Sequence, residues 1–274
     1  GMGDVTGDGI TDVVFRHGAT GKYVLDDLAP GAGFIALGRS QQTFLTAIDI
    51  DGDGVDQLLF RQGDGRYVVE GLLGQADAML GRKLQTFRAV ADINGDGAED
   101  MVFTRLNGQA VWVDGTDNRE TALASGPGST VIGIGDIDGN GSDEVIFRGG
   151  FGGKYAVGQG GGRVTFGFTG ADLVAVGDFD GDGADELVFR QGGELSLYDA
   201  QARGVTRIVG TNDRIIGVTD TDADGVEELL LADPDGWLSP LTFGEDEGVA
   251  FDLAGYGIYA ADPTGLAGFG EFLN

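Results

Sequence analysis

One acidic loop, copied six times at nearly constant spacing, constrains this chain more than any other feature. Its clearest copy runs from Asp178 to Arg190 and reads Asp-Phe-Asp-Gly-Asp-Gly-Ala-Asp-Glu-Leu-Val-Phe-Arg. Carboxylates at positions 1, 3 and 5 of a tight loop can aim their oxygens at one centre. The glycine at position 6 allows the sharp backbone turn that brings position 7 and the next acid back to that centre. A hard cation taking six to eight oxygens would close such a loop, and Ca²⁺ suits it better than Mg²⁺. Related loops begin at Asp4, Asp49, Asp92, Asp136, Asp178 and Asp220, at spacings of 45, 43, 44, 42 and 42 residues. A further step of 42 lands on Asp262, a degenerate copy in which Leu266 and Gly270 stand at positions 5 and 9. A fixed period of this length marks a repeat architecture.

Each repeat reads as short strands separated by glycine-rich turns. A strand precedes the loop, as in Phe44–Ile48 and Leu173–Gly177, with small residues where bulk is usual. A second follows it, carrying Phe15, Phe60, Phe103, Phe147 or Phe189, and third and fourth strands complete the unit. No stretch sustains a helical period. Four antiparallel strands in about 43 residues predict an all-β fold, a β-propeller of four-stranded blades, with those phenylalanines packed between neighbouring sheets. The whole chain, 1–274, is expected to form one propeller domain. Asp4 leaves little room for a strand before it, so six blades are expected to close by strand exchange, with Ile258–Ala261 supplying the first strand of the first blade. Seven blades are the alternative.

On these loops and this strand order the chain resembles the FG-GAP or VCBS repeat family over nearly its whole length. These are the calcium-bearing propeller repeats of the integrin α-subunit N-terminal domain and of many bacterial surface proteins. The resemblance implies ligands from the side chains at positions 1, 3, 5 and 9 and from the backbone oxygen at position 7. The implied sets are Asp4, Thr6, Asp8, Ile10 and Asp12; Asp49, Asp51, Asp53, Val55 and Gln57; Asp92, Asn94, Asp96, Ala98 and Asp100. The later three are Asp136, Asp138, Asn140, Ser142 and Glu144; Asp178, Asp180, Asp182, Ala184 and Glu186; Asp220, Asp222, Asp224, Val226 and Glu228. Thr6 replaces an acid, and Gln57 stands where an acid is expected, with Asp56 beside it. Solvated acidic turns are the plainer reading of any single copy, since Asp-Gly is ordinary hairpin chemistry; six copies in register favour metal, and up to six Ca²⁺ are expected.

Charge bears on this. The six loops hold 25 of the chain's 45 acidic residues, and the formal net charge is −28. Carboxylates crowded within a few ångströms repel unless a cation intervenes. The same charge excludes nucleic acid, whose phosphates need Lys and Arg, and disfavours anionic lipid. No apolar run approaches the length of a membrane span, and no segment reads as a signal peptide. Extracellular calcium modules bind at about 10⁻⁴ to 10⁻³ M, so an extracellular or cell-surface location is expected, with the export route open.

A second recurrence pairs Arg16, Arg61, Arg148 and Arg190 with Lys22-Tyr23, Arg66-Tyr67 and Lys154-Tyr155. It reads either as a repeated sugar or carboxylate pocket or as internal stacking of Arg on Tyr. His17 is the single histidine, and no nucleophile motif accompanies it. Asp185-Glu186 resembles a glycosidase pair but belongs to a loop. The chain is therefore expected not to be an enzyme. It reads as a calcium-stabilised binding or adhesion module with an unknown protein or glycan ligand. A carbohydrate-binding lectin is the first alternative and a propeller-type polysaccharide lyase the second.

Overall fold

A computed structural model describes residues 1–72, 78–80, 82–126, 128–150, 153–159, 161–167, 169–202, 204–208, 213–221, 224–243, 250–252 and 258–259. Among them there is no helix. Strands form where β-branched and aromatic residues run between Gly-containing turns. Six sheets result, each taking four successive antiparallel strands, and the chain is a six-bladed β-propeller. The first blade is Met2–Gly3, Asp12–Arg16, Tyr23–Asp26 and Phe34–Gly38. The second is Thr43–Ile48, Gln57–Arg61, Tyr67–Glu70 and Ala78–Met79, and the third Gln85–Ala91, Asp100–Arg105, Ala110–Val113 and Glu120–Ala122. Thr130–Gly135, Glu144–Arg148, Lys154–Val157 and Arg163–Gly167 make the fourth. The fifth is Asp172–Gly177, Glu186–Gln191, Glu194–Asp199 and Gly204–Ile208. The sixth is Arg214–Thr219, Glu228–Ala232, Trp237–Phe243 and Ala250–Asp252.

Closure of the first blade differs from the sequence expectation. Met2 and Gly3 supply its first strand, in register with Val13 and Asp12. Val14 donates its N–H to the Gly1 carbonyl at 2.8 Å, and the terminal ammonium of Gly1 donates to the Val14 carbonyl at 2.9 Å. Ile258–Tyr259 instead pairs with Leu238 and Trp237 of the sixth blade, extending the edge that Ala250–Asp252 begins. The expected strand exchange between the termini is thus not what the strands do. The degenerate copy at Asp262 lies outside the described residues.

The contacts fall into two compact units, one of Gly1–Val131, Ser142–Phe151 and Tyr155–Thr165, the other of Ile132–Gly141, Gly152–Lys154 and Phe166–Asn274. In the first, Val14, Tyr23 and Leu25 pack on Leu58, Phe60 and Val68, and Leu59, Tyr67 and Val69 pack on Met101, Phe103 and Val111. In the second, Val188, Leu195 and Leu197 pack on Leu229, Leu231 and Leu241. Side-chain alternation lets both faces of a sheet be buried against different neighbours. Phe60, Phe103, Phe147 and Phe189 are fully buried as expected. Phe15 is not: it is 39% exposed and meets the 70% exposed Phe34 edge-on at 6.1 Å. Phe60 and Phe103 pack on the sheet before them in the chain.

The small residues ahead of the loops answer a packing limit. A Cβ on Gly135 would sit 2.3 Å from Asp185 Oδ2 and 2.5 Å from Val176 Cγ1, and one on Gly177 would meet Glu227 Oε2 at 2.3 Å. Gly3 repeats the pattern, with Asp56 Oδ2 at 2.4 Å and Ala47 Cβ at 2.5 Å. Neighbouring blades approach there too closely for any side chain. Gly135→Ala is therefore expected to cost about 1–3 kcal/mol through overpacking, read as a lower midpoint in urea; an unchanged midpoint would contradict the close approach.

Candidate metal loops

Every described loop is wound by its own first aspartate. In the second loop Gly52 and Asp53 donate their N–H groups to Asp49 Oδ1 at 2.8 and 3.1 Å, and Gly54 donates to Oδ2 at 2.8 Å. The first loop repeats these bonds on Asp4 and the third on Asp92, with every distance between 2.7 and 3.1 Å. Asp136 receives Asn140 and Gly141, Asp178 receives Gly181 and Gly183, and Asp220 receives Asp224 and Gly225. Winding the backbone this tightly needs the left-handed region at position 4 as well as position 6: Gly52 and Gly54 have φ of 70° and 83°. The sequence reading found the second of these glycines and overlooked the first. At position 5 the carboxylate turns inward and accepts the position 7 amide, as Asp53 does from Val55, Asp96 from Ala98 and Asp182 from Ala184, each at 2.9 Å. The position 7 carbonyl is thereby held in one orientation.

Position 9 is the buried wall of the loop. Asp12, Gln57, Asp100, Glu144, Glu186 and Glu228 are all buried. One side-chain oxygen of each described partner pair accepts the position 2 amide: Asp12 from Val5, Gln57 from Ile50, Asp100 from Ile93, Glu186 from Phe179 and Glu228 from Thr221, between 2.8 and 3.1 Å. Position 2 itself is an apolar plug in most loops, with Val5, Ile93, Ile137 and Phe179 fully buried. Oxygens of Asp49, Asp51 and Asp53 lie within 4.8 Å of one another, as do those of Asp178, Asp180 and Glu186, and those of Asp220, Asp224 and Glu228. Asp222 lies outside the described residues.

Two loops deserve separate description. In the first, Asp12 is fully buried, its Oδ2 accepts Val5 and Thr6 amides at 2.9 Å, and its Oδ1 has no hydrogen-bond partner. Thr6 Oγ1 is likewise buried and unpartnered. In the second, Gln57 turns its amide nitrogen into the loop, donating to Asp51 Oδ1 at 3.2 Å and to the Val55 carbonyl at 2.8 Å. The amide orientation follows from its oxygen, which receives the Ile50 N–H. Asn94 acts similarly in the third loop, donating to Asp96 Oδ2 at 3.1 Å and Asp114 Oδ2 at 3.4 Å.

Position 8 carries a contact that the sequence reading did not foresee. Asp56, Glu99, Asp143, Asp185 and Glu227 donate their N–H groups to the position 1 carbonyl of the preceding loop, at 2.7 to 2.8 Å. Four of them also accept that same residue's N–H: Asp49 to Glu99 Oε2, Asp92 to Asp143 Oδ2 and Asp136 to Asp185 Oδ2 at 2.9 Å, and Asp178 to Glu227 Oε2 at 3.1 Å. The signal was available, since position 8 is acidic in every loop but the first, where Thr11 stands.

The Arg-Tyr recurrence is internal. Arg16 lies over Tyr23 at 5.9 Å, Arg61 over Tyr67 at 5.7 Å, and Arg163 over Tyr155 at 3.5 Å. The three tyrosines are buried; the Tyr23 and Tyr67 hydroxyls accept the N–H of Phe44 and Phe87 from the segments that follow, and the Tyr155 hydroxyl accepts that of Gly126 from the segment before. His17 is exposed and bonds only locally, to Thr20 among described partners.

No family model and no curated protein matches the chain. Among solved structures, it is similar to a chain in the crystal structure of BBS1N in complex with ARL6DN, with 9% identity and a TM-score of 0.53, covering 90% of this chain and 92% of that one. It is also similar to a chain of the mitotic checkpoint complex, with 13% identity and a TM-score of 0.55, covering 92% and 77%. These likenesses concern the propeller fold.

Burial pushes the Asp100 carboxyl up to about 7 and the Glu186 carboxyl up to about 8, against the amide bonds from Gly115, Ile93 and Phe179 that favour the ion. Folded values above the ordinary carboxylate range mean that the native state binds extra protons. Their contribution to stability is complete below about pH 4 and is lost as pH rises through about 7 to 8. In metal-free buffer the melting temperature is expected to fall between about pH 5 and 8; a rise over that window would contradict it.

Proposed function

We propose that the chain is a calcium-stabilised propeller of the FG-GAP or VCBS kind, serving as a binding module outside the cell. The observation that carries the reading is the buried, unpartnered Asp12 Oδ1 beside the unpartnered Thr6 Oγ1. A buried carboxylate oxygen without a partner costs about 1–3 kcal/mol or more, and a cation held by Asp4, Asp8, Asp12, Thr6 and the Ile10 carbonyl would remove that cost. Carboxylate oxygens also gather within 4.8 Å of one another in the second, fourth, fifth and sixth loops. The donor set is all oxygen, flexible in denticity and rich in carboxylate, which suits Ca²⁺. Bound, the ion would neutralise charge and brace the turn between the first two strands of a blade.

The second loop differs at position 9, where Gln57 stands in place of an acid. Its amide donates to Asp51 and to the Val55 carbonyl, taking up two oxygens that an ion would need and supplying no carboxylate. The expected occupancy is therefore five loops rather than six. Gln57→Glu removes the donor and adds a ligand, and it is expected to raise the calcium counted by equilibrium dialysis by one per chain; a wild-type count of six would contradict the role given to Gln57.

Differential scanning calorimetry in millimolar Ca²⁺ against EDTA tests the central claim. Saturating a native-state site at about 100 times its dissociation constant adds about 2.7 kcal/mol, so a rise of several degrees is expected, and an unchanged melting temperature would sink the reading. Extracellular calcium modules bind at about 10⁻⁴ to 10⁻³ M, and an affinity in that range would support a location outside the cytosol. A protein partner is favoured over a glycan on two grounds. Tyr23, Tyr67 and Tyr155 are buried and offer no open aromatic face to a sugar, and one structural neighbour, BBS1N, was crystallised in complex with ARL6DN. A non-enzymatic role is the reading we adopt.

A further inference from the structure

We infer that the position 8 carboxylates couple cation binding in neighbouring loops, so that filling one loop prepares the loop before it. The inference rests on the calcium reading and adds its regulation. Each position 8 residue is held between two groups of its own loop, the position 7 carbonyl and the position 9 side chain. In Glu99, Asp143, Asp185 and Glu227 the backbone N–H and the carboxylate together grip both polar groups of the preceding loop's first residue. Asp185 is representative: it lies between Ala184 and Glu186, donates to the Asp136 carbonyl at 2.7 Å and accepts the Asp136 N–H at 2.9 Å. Asp143 grips Asp92 and Glu227 grips Asp178 in the same way.

The consequence follows from what position 1 does. Asp136 winds its loop through the amides of Asn140 and Gly141. Its backbone setting therefore governs where every later group of the loop falls. A cation in the fifth loop orders Ala184 and Glu186, and with them Asp185, which fixes Asp136 before the fourth loop meets its own ion. The ordering cost is met once, so the second ion binds more tightly. Linkage requires the effect to be reciprocal. The Gly135 backbone leaves no room for a side chain between the gripping carboxylate and the strand, so the grip cannot be displaced sideways without moving the blade.

Amide resonances of Gly141 and Gly183, followed by NMR in the full-length ¹⁵N-labelled chain during a Ca²⁺ titration, report the fourth and fifth loops separately. Asp182→Ala removes a ligand of the fifth loop and is expected to raise the Ca²⁺ midpoint of Gly141 about fivefold, within the usual range of coupling energies. Asp185→Ala is expected to raise the Gly141 midpoint by a similar factor. The double variant is expected to go no further, because both changes break one connection. Asp185→Asn keeps an acceptor oxygen in place, guards against misfolding of the Ala variant, and is expected to hold the wild-type midpoint. A Gly141 midpoint unmoved by Asp182→Ala would show that the loops bind independently and would overturn the coupling while leaving the calcium reading intact. Gly141 and Gly183 resonances that ignore Ca²⁺ in the unaltered chain would overturn both.

Discussion

The fold depends on a carboxylate that turns its own backbone. At the head of each described loop an aspartate collects two or three amide N–H groups from the residues just after it, and this sets the angle between the first two strands of a blade. Backbone amides in a tight turn would otherwise rely on water. By taking them up, the aspartate makes a loop that draws its remaining carboxylates close together. The acidity of the chain is thus a by-product of its turn chemistry. It creates an electrostatic problem that burial of the position 9 acids makes worse: burial first, and the neighbouring acids second, push the Asp100 and Glu186 carboxyls up.

The loops answer that problem in different ways. In the second, an amide donor from Gln57 stands among the acids. In the third, Asn94 bridges Asp96 and Asp114. The first leaves a buried oxygen of Asp12 without a partner, which is the arrangement an external cation suits best. Such variation on one backbone template is expected when a repeat is copied and then drifts, because each copy needs only to satisfy its own charges.

Much of the architecture was legible from the chain. The constant spacing of the loops and the runs around Phe60, Phe103, Phe147 and Phe189 led directly to four-stranded blades and to their number. The ends of the chain were harder to read. Two residues, Met2 and Gly3, are too few to register as a strand by pattern, yet pairing with Val13 and Asp12 makes them one. The position of Ile258–Tyr259 depends on tertiary pairing that no local signal encodes. Phe15 matched its repeat relatives in sequence and differed in burial, because periodicity cannot say which copy stands first. Within the loops, positions 1, 3, 5 and 9 were visible as acids. The grip of position 8 was equally visible as composition but not as contact, since its partner lies some 50 residues earlier, as with Asp49 and Glu99. The Arg-Tyr recurrence was ambiguous from sequence and resolved only by burial, with the tyrosine hydroxyls serving the backbone of an adjoining segment.

The direction of the position 8 contacts has a consequence for how the protein is made. Each one reaches back from a later repeat to an earlier one. During synthesis a blade would emerge with its four strands and its acidic turn complete, but with the first residue of that turn still ungripped. It would acquire its final geometry only when the next repeat, about 43 residues further on, had left the ribosome. Blades would therefore mature one step behind elongation, each finished by its successor. A ribosome pausing between repeats would hold the youngest blade open while all earlier ones were set.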